Sequence, residues 1–177
     1  MACLPKSKAP PLTFERASEV LTYCPTTGHL RWRKSRAGCA GGEKAGTLAS
    51  GYLQIQVDLV FHKAHRLAWL LAYGAWPEKA LDHINGVRHD NRLANLREAT
   101  PQENARNRSP ESKNQSGRTG VYRTASGKWS AGIGHDGKTN YLGCFECFPD
   151  AIAARCEAEK HYFGDFARQV SEGRSNG

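Results

Sequence analysis

The stretch 81-LDHINGVRHDNRLANLREATPQENARNR-108 sets a carboxylate, a histidine, several amides and several arginines around two turn signals. Asn85-Gly86 is a strong hairpin signal, because a type I′ turn needs positive φ at both central residues and Asn and Gly supply it cheaply. Asp82 and His83 are then predicted on the incoming strand. Thr100-Pro101-Gln102-Glu103 reads as a helix start: Thr100 as N-cap, Pro101 where a missing N–H costs nothing, and Glu103 reaching back as a capping box. Asn104 falls in the first turns of that helix. A strand, an ordered loop and a short helix whose start can face Asp82 and His83 make a place for one cation.

These residue types suit phosphodiester hydrolysis, which needs a base near neutral pH for the attacking water and a divalent ion to neutralise charge at phosphorus and the leaving oxygen. His83 suits the base, and Asp82 and the amide oxygen of Asn104 suit the ion. A carboxylate and an amide oxygen with several waters is a set that hard Mg²⁺ accepts, whereas Zn²⁺ would want more His or Cys. Asn91 and Asn95 read as Asx side chains that bond nearby backbone, and His89, beyond the turn, is expected in solvent.

Three segments, AHRLAW from Ala64, DHINGVRHDNRLANLREAT from Asp82 and PQENARNR from Pro101, resemble the HNH endonuclease family, the ββα-metal nucleases of phages and mobile introns. The resemblance implies His83 as general base and Asp82 as first metal ligand. It implies Asn95 as the middle Asn that braces the loop and orients the base. Asn104, 104 − 83 = 21 residues past the base, stands in the place of the last His, where many relatives carry Asn. One Mg²⁺ or Mn²⁺ per site follows.

The rest of the chain is consistent with a polyanionic partner. Its 177 residues carry a formal net charge of +8, which favours nucleic acid. No apolar run is long enough to span a bilayer, and MACLPKSKAPPL at the start lacks the apolar core of a signal peptide; the expected location is cytoplasmic, the host's cytoplasm if the chain is phage-encoded. Six cysteines lack the paired spacing of a zinc ribbon and read as free thiols. Nothing in the sequence fixes an oligomeric state.

Residues 1–12 read as a flexible arm, and residues 13–108 as the nuclease domain with a β-rich N-terminal extension. Thr13 caps a short helix, and Tyr23 to Trp32 is a turn feeding a strand. Arg31, Arg33, Lys34 and Arg36 surround Trp32, a composition suited to phosphate contacts. Gly38 to Gly51 reads as a loop, and Tyr52 to Phe61 alternates as one half-buried strand. TGHLRW, the glycine-rich loop and GYLQIQV also resemble the region preceding the HNH motif in phage relatives. Ala64 to Tyr73 carries Leu67, Leu70 and Leu71 on one helical face, with Gly74 as its stop. His62 and His65 are better read as hydrogen-bonding groups than as a metal pair, and Trp69 and Trp76 as core.

Residues 109–116 read as a polar linker, residues 117–167 as a second module, and residues 168–177 as a tail. The module shows three strands, Thr119 to Thr124, Lys128 to Gly134 and Thr139 to Phe145, with a hairpin signal at Asp136-Gly137, and then a helix from Pro149 to Phe163. GVYR, GKWSAGI, YLGCF and DAIAARCEAEKHYFG resemble the AP2 DNA-binding domain. That implies contacts from Arg118, Arg123, Lys128 and Trp129, on the sheet face opposite the helix, into the major groove. Cys144 and Cys147 form a lone CxxC, too little for a redox or metal reading.

The expected fold is therefore α+β: a ββα-metal nuclease unit followed by a three-stranded antiparallel sheet packed on one helix. The expected function is metal-dependent cleavage of double-stranded DNA, with Arg92, Arg97, Arg106 and Arg108 as candidate phosphate clamps. Its rivals are a non-catalytic DNA-binding regulator that uses the AP2-like module and a zinc-stabilised interaction module.

Overall fold

Thr13 opens the first helix as its chemistry predicts, its hydroxyl accepting the Arg16 N–H at 3.3 Å. The computed structural model describes residues 11–35, 38, 40–107, 114 and 116–167. Arg36, Arg108, most of the expected linker and the tail lie outside the described residues, as does nearly all of the expected arm. The fold is a mixture of helices and small sheets. The chain divides into two compact units: one holds the residues up to Leu81 with Arg88–Leu96, the other Asp82–Val87 with Arg97 onward.

In the first unit, α1 (Phe14–Val20) runs into β1 (Leu21–Tyr23), which pairs antiparallel with β2 (Leu30–Trp32). β3 (Thr47–Ala49), β4 (Tyr52–Val57) and β5 (Val60–Lys63) form an antiparallel sheet, and α2 (Ala64–Tyr73) follows. Gly74 ends α2 at φ 77°, its N–H returning to the Leu70 carbonyl. The core is one apolar cluster built on Leu21, Leu30, Ile55, Leu67 and Leu70, with Trp69 and Trp76 packed against it.

Two expectations fail in this unit. Tyr52 to Phe61 is a hairpin rather than one strand: Asp58 at φ 48° and Leu59 at φ 65° make the turn, and Val57 faces Val60. Asp tolerates this conformation but Leu rarely adopts it, so no local signal marked the turn. A contact distant in sequence holds it, the Arg16 guanidinium donating to both Asp58 carboxylate oxygens at 2.9 and 2.8 Å. The expected loop from Gly38 to Gly51 also contains β3.

β6 (Ala80–His83) and β7 (Leu96–Ala99) form a two-stranded sheet, and α3 (Pro101–Arg106) follows. The expected type I′ hairpin at Asn85-Gly86 is absent. Only Gly86 takes positive φ, 72°. Its N–H bonds the His83 carbonyl at 2.8 Å, while the Asn85 side-chain oxygen accepts from the Val87 N–H at 2.9 Å. This is an Asx turn; it opens a long connection whose last residues form a 3₁₀ turn, Leu93–Asn95.

The C-terminal sheet runs β10–β9–β8, all antiparallel, from β8 (Val121–Arg123), β9 (Trp129–His135) and β10 (Lys138–Phe145). Asp136 at φ 50° and Gly137 at φ 73° supply the two-residue turn between His135 and Lys138. α4 (Phe148–Phe163) lies against this sheet, with its Ala151 and Ala158 packed among Val121, Ala131 and Ile133. Among the described residues, no helix is long and apolar enough to cross a membrane.

This small-residue core is reinforced by buried charge. Glu159 accepts from Arg155 Nε at 2.8 Å and from Arg118 Nη2 at 2.5 Å, and Arg155 Nη1 also donates to the Gly132 carbonyl. Gly120, at φ 76°, makes room for the cluster: an added Cβ would lie 2.4 Å from the Gly132 oxygen and 2.6 Å from Arg155 Nη1. Removing the shared carboxylate leaves two buried guanidinium groups uncompensated. Glu159→Ala should therefore cost about 3–5 kcal/mol in urea unfolding; a loss under about 1 kcal/mol would show the cluster to be incidental.

Candidate active site

Strand β6 ends by burying two consecutive polar side chains, Asp82 at 6% exposure and His83 at 5%. Removing a carboxylate from water costs several kcal/mol unless charge and hydrogen bonds replace the lost hydration. Arg97 on β7 supplies both, donating to Asp82 Oδ2 from Nε at 3.0 Å and from Nη2 at 2.7 Å. Its guanidinium is fixed from the other side by the Phe166 ring, 4.1 Å away, and by a bond from Nη1 to the Asp165 carbonyl.

The second partner of Asp82 is Asn107, which follows α3 and is 5% exposed. Its Nδ2 lies 3.0 Å from each Asp82 carboxylate oxygen and 2.7 Å from the His83 carbonyl. Helix α3 is set by its start: Thr100 Oγ1 accepts the Glu103 N–H at 3.3 Å, and Glu103 returns to the Thr100 N–H at 2.7 Å. Asn104 is exposed on this helix. Among the described residues, Asn107 Oδ1 is buried with no hydrogen-bond partner. The sequence reading passed over Asn107. No local signal marks it: Asn107 lies just past the end of α3 and is buried, whereas Asn104, three residues earlier, is exposed.

In the first unit, the loop that bears Asn95 closes on itself. Asn95, 7% exposed, donates from Nδ2 to the Asp90 carbonyl at 2.8 Å, and Arg92 grips the Asp90 carboxylate at 2.6 and 2.8 Å. Tyr23 donates its hydroxyl to the Asn91 carbonyl at 2.8 Å; burial chiefly pushes this phenol up to about 12, which keeps it a neutral donor. The Leu93 N–H bonds the Pro25 carbonyl at 3.0 Å. His89 is exposed.

The candidate nucleic-acid contacts divide sharply. Arg31 donates to the Gly42 carbonyl at 2.6 Å, Arg33 to the Leu21 carbonyl at 3.1 Å, and both remain exposed. Lys34 is exposed beside a groove lined by Arg16, Trp32, Asp58 and Leu59. Arg106 lies over the Phe163 ring at 5.0 Å. Arg123 and Lys128 are exposed, with Lys128 paired to Glu146. Two expected contacts turn inward instead. Arg118 is engaged by Glu159, and Trp129 packs on Phe148 with ring centroids 4.5 Å apart. The reason for Trp129 is the two-residue period of a strand: it shares its face with Ala131 and Ile133, which meet α4.

Elsewhere, His62 stacks on Trp76, and its burial lowers its pKa below the usual histidine value. Among the described residues no three His, Cys, Asp or Glu side chains gather as a metal-ligand set. Around Asp82 the neighbouring oxygens are the His83 and Ile84 carbonyls, which share the Asn107 amide with it, a hard set suited to Mg²⁺ rather than Zn²⁺.

Residues 62–106 match the family model of the HNH endonucleases, a span that takes in Asp82, His83, Asn95 and Asn104. No curated protein and no solved structure matches the chain. The match supports a nuclease of the HNH type acting on nucleic acid, a class that generally uses a divalent metal.

The loop bearing Asn95 has a checkable dependence on the N-terminal extension. Gly28 sits at φ 72°, and a Cβ there would meet Arg92 N at 2.5 Å and Asn91 C at 2.6 Å, both backbone atoms. Gly28→Ala should cost about 1–3 kcal/mol in thermal or urea unfolding. A variant as stable as the parent would mean that the loop gives way freely.

Proposed function

We propose that the chain is a divalent-metal-dependent endonuclease of double-stranded DNA, with His83 as general base. The observation that carries the reading is the buried Asp82–His83 pair at the end of β6, its carboxylate met by an amide from the end of α3, within a segment that matches the HNH endonucleases. The donor chemistry fits a hard cation, and the buried Asn107 Oδ1, an acceptor without a donor among the described residues, is the kind of atom a cation satisfies. Asp82 and Asn104 would hold one Mg²⁺ or Mn²⁺. The ion, when bound, supplies positive charge for the phosphorane and for the leaving 3′ oxygen.

The chain's own residues do the rest. His83 takes the proton of the attacking water, and Asn95 keeps the loop closed through Asp90. The products are a 5′-phosphate and a 3′-hydroxyl. Arg97, already bound to Asp82, holds charge at the site, and Arg106 reaches a neighbouring phosphate. Arg31, Arg33 and Lys34 supply sequence-independent attraction.

The C-terminal module acts as an AP2-like targeting element. With Arg118 and Trp129 turned inward, and Arg123 paired with Trp129 and so on its face of the sheet, Lys128 and the exposed Tyr122 and Tyr141 remain to meet DNA. In this reading Tyr122 and Tyr141 lie on the sheet face opposite α4.

His83→Ala should lower cleavage by about 10²- to 10⁴-fold while leaving DNA affinity nearly unchanged, because a base acts in the transition state. Plasmid relaxation and a gel-shift titration measure the two. Cleavage at the parental rate would remove His83 from the mechanism.

A further inference from the structure

Asn107 makes every amide contact described at Asp82, and it does so with the wrong end of the amide for a cation. Its NH₂ group faces both carboxylate oxygens at 3.0 Å and the His83 carbonyl at 2.7 Å. Its oxygen is buried without a partner among the described residues, a state that costs about 1–3 kcal/mol. Neighbouring oxygen ligands of an octahedral Mg²⁺, bonded at about 2.0–2.1 Å, lie about 3.0 Å apart. That is the separation Nδ2 already keeps from the carboxylate. Exchanging the two ends of the amide by rotation about Cβ–Cγ therefore brings Oδ1 to a ligand's distance from Asp82 without moving the backbone.

From this we propose that Asn107 is an oxygen donor of the metal site, presenting NH₂ to Asp82 in the metal-free protein and Oδ1 to a divalent cation held beside Asp82. The inference rests on the nuclease reading and deepens it. Arg97 gives it a physical basis: with Asp165 and Phe166 fixing its guanidinium, it holds the carboxylate in place before the cation arrives. The buried amide then serves both states, because an Asn side chain carries donors and an acceptor on one pivot.

The test titrates Mn²⁺ into the intact chain without DNA, following free Mn²⁺ by electron paramagnetic resonance and unfolding by a thermal melt. Asn107→Ala should weaken Mn²⁺ binding about 10- to 100-fold. Asn107→Asp should do two opposite things: lower the melting temperature of the metal-free protein, by setting a second carboxylate against Asp82, and bind Mn²⁺ at least as tightly as the parent. An Asp variant unfolded without Mn²⁺ and folded with it supports the proposal equally. Parental Mn²⁺ affinity in Asn107→Ala, or weaker binding by the Asp variant than by the Ala variant, overturns it and leaves Asn107 a structural clasp. Asp82→Ala separates the two levels. If it alone loses Mn²⁺, the site stands and the role of Asn107 falls; if the parent binds no Mn²⁺, both fall.

Discussion

A carboxylate that is only 6% exposed constrains everything built around it. Asp82 needs a positive charge and hydrogen-bond donors, and it draws them from two places distant in sequence, Arg97 on β7 and Asn107 after α3. A strand end, the strand that follows the long loop and the end of a short helix are thereby joined at one atom group. α3 has no buried residue of its own, so its placement depends on the capping box at its start and on Asn107 just past its end. Where so little apolar surface is buried, polar contacts decide position.

The C-terminal sheet and helix meet the same problem in another form. Alanines and glycines along β9 and α4 bring backbone close to backbone but bury little apolar area, and Glu159 then collects Arg118 and Arg155 in the gap. Such a cluster adds little net stability compared with an apolar replacement, yet breaking it is costly. The residue that a groove-facing surface would have used, Arg118, is committed to the interior. On its surface this module leaves Lys128 and the tyrosines Tyr122 and Tyr141 exposed.

How much of this was legible in the sequence follows from the range of each interaction. Thr13, Thr100 with Glu103, Gly74 and Asp136-Gly137 act within a few residues, and each does what its chemistry predicts. The turn at Asp58-Leu59 was not legible, because Arg16, 58 − 16 = 42 residues away, holds it. Asn85-Gly86 misled for a related reason: the Asn85 side chain bonds the Val87 N–H and so favours an Asx turn over the two-residue hairpin. Asp82 and His83 were recognisable as chemical types, but the partners of Asp82 were not. Asn107 became visible only when folding set it beside that carboxylate, and the inward turn of Arg118 required knowing where Glu159 would be.

The central claim is that this constellation cuts DNA with the help of a divalent ion. The most direct measurement is the conversion of supercoiled plasmid by the purified intact chain in Mg²⁺, repeated with excess EDTA, with DNA binding followed in parallel. The account predicts relaxed or linear product in Mg²⁺ and none in EDTA, with ligatable 5′-phosphate ends. Retarded but uncut plasmid in both conditions would contradict it and leave a DNA-binding protein without catalysis.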